Sequence, residues 1–173
     1  LHAYYHGSQG AETAWAKESE VKFLAIVPGY DRHFTICEEL GIRLINVNML
    51  ADGPDMDKVE ELLSNDPQIK GMWCVPKYSN PTGCVYADKV VERVAALGKI
   101  AGPNFRVMWD NAYGVHDLQE NPQELANVMD YCRKYGTEDN LILTASTSKI
   151  TIAGGGISFL GASGKNLEHF RKR

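Results

Sequence analysis

The strongest constraint on the fold is an alternation that runs the length of the chain. Short apolar runs rich in Val, Ile and aromatic residues are followed by stretches whose apolar residues recur at helical spacing. Residues 21–27, 42–47, 69–75, 105–109, 141–145 and 157–162 read as strands. Residues 34–40, 55–64, 86–100, 123–135 and 166–173 read as helices. The second of these opens on Pro54-Asp55, a helix-start signal, and the third places Val90, Val91, Val94, Ala95 and Leu97 on one side. Residues 3–18 carry only weak helical patterning. Strands that alternate with helices through short turns demand a mostly parallel sheet covered on both faces, which is a three-layer αβα fold of the α/β class.

At 173 residues the chain is expected to form a single domain with a substantial core. A net charge of −4, with no basic cluster before Arg171-Lys172-Arg173, argues against a nucleic-acid surface. No apolar run approaches the length needed to cross a membrane. Cys37, Cys74, Cys84 and Cys132 are scattered without a C-x-x-C pair, and His116-Asp117 has no second ligand pair, so no metal is expected. Unpaired thiols point to a reducing, cytoplasmic setting. The start, from Leu1 to Tyr5, lacks an initiator Met and the features of a signal peptide. The chain is therefore expected to be a piece of a longer protein.

In an open α/β sheet ligands bind beyond the carboxyl ends of the strands, and the unusual residues of this chain collect there. The strand at 141–145 runs into Ser146-Thr147-Ser148-Lys149 and then Gly154-Gly155-Gly156. A lysine at a strand exit is expected to be partly buried, and an amine stripped of solvent is a usable nucleophile, as a Schiff-base lysine requires. Asp110 ends the strand before it, and a desolvated carboxylate there calls for a cationic partner such as a protonated ring nitrogen. Tyr113 follows three residues later. Asn80, held out of the helical region by Pro81, lies in the turn Ser79-Asn80-Pro81-Thr82-Gly83 after the third strand. Tyr30, after Pro28-Gly29, offers an aromatic face, while His33 reads on its own as a surface or capping histidine.

Taken in order, Pro76 to Gly83, Asp110-Asn111-Ala112-Tyr113 and Ser146 to Lys149 resemble the fold-type I pyridoxal-phosphate enzymes, specifically the class I/II aminotransferases. Pro28 to His33 and Ser146 to Gly156 are most similar to the aspartate-aminotransferase branch related to the MocR regulators. The resemblance covers essentially the whole chain and matches it to the central part of that family's large domain. It implies pyridoxal 5'-phosphate as cofactor, with Lys149 forming the internal aldimine and moving the substrate proton. Asp110 would pair with the ring nitrogen, Asn80 and Tyr113 with the ring 3-oxygen, Tyr30 with the ring face and Ser146 with the phosphate, with Ser148 a further cofactor-binding residue. By the same likeness the Val27–Pro28 and Asn80–Pro81 bonds are expected to be cis.

The resemblance also implies partners. The expected substrates are an aspartate- or glutamate-like amino acid and a 2-oxo acid, and the expected assembly is a homodimer, with neither nucleic acid nor membrane involved. Two departures accompany it. The family's phosphate-clamping arginine, eight residues after the lysine, is Ile157 here. The glycine/serine phosphate loop and the small domain with its substrate-binding arginine are expected to lie outside residues 1–173. Three further readings stay open beside the aminotransferase: a lyase or decarboxylase on the same scaffold, a MocR-like regulatory domain that binds the cofactor without turnover, and an inactive fragment.

Overall fold

The structure is a computed structural model that describes residues 1–152 and 154–172. Ala153, in the stretch after Lys149, and Arg173, at the end of the expected last helix and the terminal basic trio, lie outside the described residues. In chain order the elements are α1 (His2–His6), a 3-10 turn at Trp15–Lys17, β1 (Lys22–Val27), α2 (Asp31–Glu39), β2 (Arg43–Leu50) and β3 (Gly53–Pro54). There follow α3 (Met56–Asn65), β4 (Ile69–Cys74), α4 (Asp88–Ala96) with a 3-10 extension at Leu97–Lys99, and β5 (Arg106–Asp110). The chain continues through α5 (Val128–Tyr135), a 3-10 turn at Glu138–Asn140, β6 (Leu141–Ser146), β7 (Ser158–Ala162) and α6 (Gly164–Arg171).

The strands form one sheet in the order β3-β2-β1-β4-β5-β6-β7. The pairs from β2 through β1, β4 and β5 to β6 are parallel, as the alternation requires. Both edges turn antiparallel: β3 folds back on β2, and β7 folds back on β6. The chain moves from β1 to β2 on one side, then returns past β1 to reach β4 on the other. The crevice between β1 and β4 is thus the point where strand order reverses.

Period-two alternation decides which face each side chain covers. Leu24, Met72, Val107 and Trp109 join the larger cluster under α3, α4 and α5, with Tyr86, Val91 and Cys132. Their neighbours Phe23, Trp73 and Met108 turn to the opposite face, against Trp15, Cys37 and Ile42. Leu24, Ile69, Met72, Val91 and Phe105 are fully buried, each contributing about 1.5–3 kcal/mol by leaving water. Gly71 stands opposite Phe23 in the β1–β4 register, and a side chain there would collide with the Phe23 ring. All four cysteines are free thiols. No helix among the described residues is long and apolar enough to cross a membrane.

Element boundaries differ from the sequence expectation where a cap or a pairing decides them. Helix α3 begins beside Asp55, whose carboxylate accepts the Lys58 backbone N–H at 3.1 Å. Helix α5 was expected from residue 123 but starts at Val128, because the Asn127 side chain accepts the Met129 N–H and caps the helix there. Helix α4 ends at Ala96 and tightens into the 3-10 turn rather than running on to residue 100. The Val27–Pro28 and Asn80–Pro81 peptide bonds are both cis.

Candidate active site

The site is assembled from the turns that leave β1, β4, β5 and β6. After β1, Gly29 passes so close to the Ile26 carbonyl and the Phe34 ring that a side chain would not fit. This tight passage sets Tyr30, half-buried, at the start of α2. One turn into α2, His33 is only 7% exposed. Its ring stacks on Trp73 of β4 with centroids 4.3 Å apart and planes 8° from parallel, and it meets Tyr30 edge-on at 5.3 Å. Clamped this way, His33 Nε2 lies 3.3 Å from Asp110 Oδ2 at the end of β5.

The other oxygen of Asp110 faces β6. Asp110 and Thr144 are partners in the β5–β6 register, and Thr144 Oγ1 donates to Asp110 Oδ1 over 3.5 Å. The carboxylate is thus oriented from two strands and one helix while a quarter of its side chain stays open to the crevice. His33 lies against Asp110, although sequence reading left it as a surface or capping residue. Only the Tyr30-x-x-His33 spacing hinted that both rings face one crevice.

Beyond β6 the chain enters a turn that carries the lysine. Thr147 organises it: its N–H donates to the Ile157 carbonyl, its hydroxyl accepts the Ile157 N–H, and its carbonyl accepts from Ile150 and Thr151, each at 2.9 Å. Lys149 is exposed, which corrects the expectation of a partly buried amine. The strand ends at Ser146, so the lysine stands on the turn above the sheet edge instead of within a covered layer. Its Nζ is nevertheless placed. It donates to Tyr113 Oη at 2.6 Å, lies 4.1 Å from the Tyr113 ring centroid, and sits 5.9 Å from that of Tyr30.

The remaining expected residues are less tightly gathered. Ser146 closes β6 opposite Ser158, and Ser148 lies in the lysine turn against Gly156. Ile157, where the resemblance implies an arginine, is 65% exposed and engages Thr147 only through its backbone. Asn80 is exposed at the tip of the 79–83 turn, which is closed by the Gly83 N–H on the Ser79 carbonyl. Among the described residues no hydrogen bond joins the Asn80 side chain to Lys149, Tyr113 or Asp110.

Sequence reading also missed a polar brace at the rim. Lys77, 7% exposed, donates to Asp117 Oδ1 at 2.7 Å and to the Gly114 carbonyl at 3.3 Å. Tyr78, with a left-handed φ of 50°, donates its hydroxyl to the same Asp117 oxygen at 2.7 Å. The Lys77 ammonium and the Tyr78 hydroxyl together hold the Asp117 carboxyl below the usual carboxylate range. A cavity of about 660 Å³ lies elsewhere, on the sheet face under α1 and α2, and its walls are mostly apolar. The strand-end crevice is therefore marked by convergent polar groups rather than by enclosed volume. It presents an amine against a phenol, an oriented carboxylate, an aromatic face and two hydroxyls at the end of β6.

Comparison with known proteins gives the family of the chain. The family described as aspartate amino-transferase matches residues 1–173. The chain is 47% identical over 167 residues to a putative aminotransferase of Mycolicibacterium smegmatis, covering 96% of this chain and 39% of that protein. It is 46% identical over 168 residues to an aspartate aminotransferase of Corynebacterium glutamicum, covering 97% of this chain and 38% of that protein. The crystal structure of a putative aminotransferase from Corynebacterium diphtheriae superposes with a TM-score of 0.94 at 42% identity, over 99% of this chain and 42% of that one. The chain thus spans about two-fifths of the length of the curated relatives it matches.

Proposed function

The chain belongs to the aspartate amino-transferase family, and from that premise we propose that it forms the cofactor-binding domain of a pyridoxal-phosphate-dependent aminotransferase. The reaction moves an amino group between an aspartate- or glutamate-like amino acid and a 2-oxo acid. The observation that carries this reading is the 2.6 Å contact between Lys149 Nζ and Tyr113 Oη, set in the same crevice as the His33–Asp110 pair.

The donor set fits the cofactor. Bound there, pyridoxal phosphate supplies an aldehyde for covalent attachment and a protonated ring that withdraws electrons from the substrate. Lys149 Nζ would be the attachment point and, as a free amine, would carry the proton from the substrate α-carbon to the carbon that bore the cofactor's aldehyde. Asp110 holds the proton on the ring nitrogen. His33 would serve by fixing the Asp110 plane. Tyr113 Oη, already within reach of the lysine, is placed to donate to the ring 3-oxygen, with Asn80 as the second donor. Tyr30 covers one ring face. With Ile157 aliphatic, the phosphate is left to the hydroxyls of Ser146 and Ser148 and to backbone N–H groups of the turn.

On the same reading residues 1–173 are a single cofactor-binding domain, and the protein works as a homodimer in the cytoplasm. Its partners are a small amino acid and a 2-oxo acid, not nucleic acid or membrane. The free thiols suit that compartment. The test is the half-reaction. Protein loaded with pyridoxal phosphate and given aspartate or glutamate should yield one 2-oxo acid for each pyridoxamine phosphate formed. Release of carbon dioxide, ammonia or an eliminated group would assign a lyase instead. Binding without any product would fit a regulatory domain or an inactive fragment, and each of these results overturns the proposal.

A further inference from the structure

The segment that follows β5 places Asp110, Tyr113 and His116 three residues apart, and the first two are already accounted for. His116 is not. It is half-buried, and its backbone N–H closes a turn onto the Tyr113 carbonyl at 3.2 Å. The His116 ring meets the Tyr113 ring edge-on, with centroids 5.6 Å apart and planes at 80°. Its Nε2 lies 3.2 Å from the backbone carbonyl of Lys149. A carbonyl oxygen only accepts, so Nε2 carries the hydrogen, while Nδ1 is buried without a hydrogen-bond partner. One imidazole therefore touches both members of the Lys149–Tyr113 pair, the tyrosine through its ring and the lysine through its backbone.

The lysine turn has little else to hold it. Thr147 ties the turn to itself and to Ile157, and both Lys149 and Ile150 are exposed. Among the described residues, His116 is the sole hydrogen-bond donor to the Lys149 carbonyl. The segment that carries His116 is in turn anchored at its far end, where Lys77 and Tyr78 both donate to Asp117 and Lys77 reaches the Gly114 carbonyl. Gly114 folds so tightly on Asn111 that a Cβ would sit 2.7 Å from its amide nitrogen. A hydrogen-bonded strap thus runs from the β4 exit, past the end of β5, to the lysine turn, and His116 is its last link.

We propose that His116 is a positioning residue for Lys149. By donating to the Lys149 carbonyl and backing the Tyr113 ring, it sets the relative height of the two residues, so that Nζ meets Oη at hydrogen-bond distance. The proposal rests on the reading of Lys149 as the cofactor-anchoring amine, but its geometry can be tested without any cofactor.

The experiment compares His116→Phe, which keeps a ring against Tyr113 and removes the donor, with His116→Gln, which keeps an Nε2 donor at similar reach. In cofactor-free protein, each lysine's modification by trinitrobenzenesulfonate is followed by peptide mass, with exposed Lys89 as internal reference. His116→Phe should raise the Lys149 rate relative to Lys89 by roughly three- to tenfold, the range that one lost hydrogen bond produces, because Nζ leaves the Tyr113 hydroxyl. His116→Gln should return it to within about twofold of the original, a rescue that a merely space-filling histidine would not show. In loaded protein amino-group transfer should fall in His116→Phe and recover in His116→Gln. An unchanged or slower Lys149 rate in His116→Phe, or equal behaviour of the two variants, overturns the proposal. If pyridoxal phosphate and borohydride label a different lysine, the cofactor reading fails, while the cofactor-free comparison still decides the positioning role.

Discussion

Gly156 offers a sharp test of how the lysine turn is held. A Cβ built on it would lie 2.7 Å from both the backbone N and the Oγ of Ser148, and 2.9 Å from Ser148 Cα. The hydroxyl can rotate away, but the backbone cannot, so Gly156→Ala must displace the turn by about 0.7 Å to restore ordinary contact. The residue displaced is the immediate neighbour of Lys149. Overpacking of this kind costs about 1–3 kcal/mol in a core, and near the lower end at a half-buried loop. Misplacing a reacting group by 1 Å costs up to roughly 100-fold, so a shift of this size should weaken pyridoxal-phosphate binding by roughly tenfold or more. Gly155→Ala is the matched control, since among the described residues its Cβ would meet only Ile152 O at 3.6 Å and Ile152 Cβ at 4.0 Å. Titration by absorbance gives the affinity, and urea unfolding gives the stability. If Gly156→Ala binds the cofactor as tightly as the unsubstituted chain, or if Gly155→Ala weakens binding equally, the account of the turn is wrong.

The remaining predictions concern the groups around it. His33→Phe keeps an aromatic ring on Trp73 but removes the contact to Asp110 Oδ2; amino-group transfer should fall by roughly 10–100-fold, as when the partner that orients a metal-ligating side chain is lost, with little change in the urea midpoint. Unchanged transfer would remove His33 from the site. Asp117 raises the Tyr78 pKa, chiefly by accepting its hydroxyl. The sign follows: with the folded pKa raised, the contact stabilises below the unfolded phenol's value of about 10 and is lost as pH rises through the folded value. Asp117→Asn should therefore lower the pH at which Tyr78 ionises, read by ultraviolet difference titration against a Tyr78→Phe control. An unshifted titration would contradict the brace.

Much of the fold was legible because burial on both faces leaves a local mark. Strands β1 and β4 are covered on both sides and read as largely apolar runs, Phe23 to Val27 in the first and Gly71 to Cys74 in the second. Strand β3 left no mark, since Gly53-Pro54 has no strand pattern and pairs only because the turn after Leu50 brings it back onto Met49. The start of α5 was misplaced because residues 123–126 are acceptable helix formers, and only the Asn127 side-chain bond shows where the helix begins. Residues at strand exits were legible as candidates because topology forces strand ends together. Their pairings were not. His33 reaches Asp110 across 77 positions and His116 reaches Lys149 across 33, and such contacts depend on sheet order, which no local pattern encodes. The exposure of Lys149 was missed for a related reason: burial of a turn is decided by what packs over it, not by the residues within it.

The central claim is that Lys149 is the amine that holds the cofactor. The direct measurement is to incubate the protein with pyridoxal phosphate, reduce with borohydride and map the phosphopyridoxyl group by peptide mass. A single label on Lys149, abolished in Lys149→Ala, is the predicted result. A label on another lysine, or one spread evenly over the exposed lysines such as Lys58, Lys89 and Lys165, would contradict it.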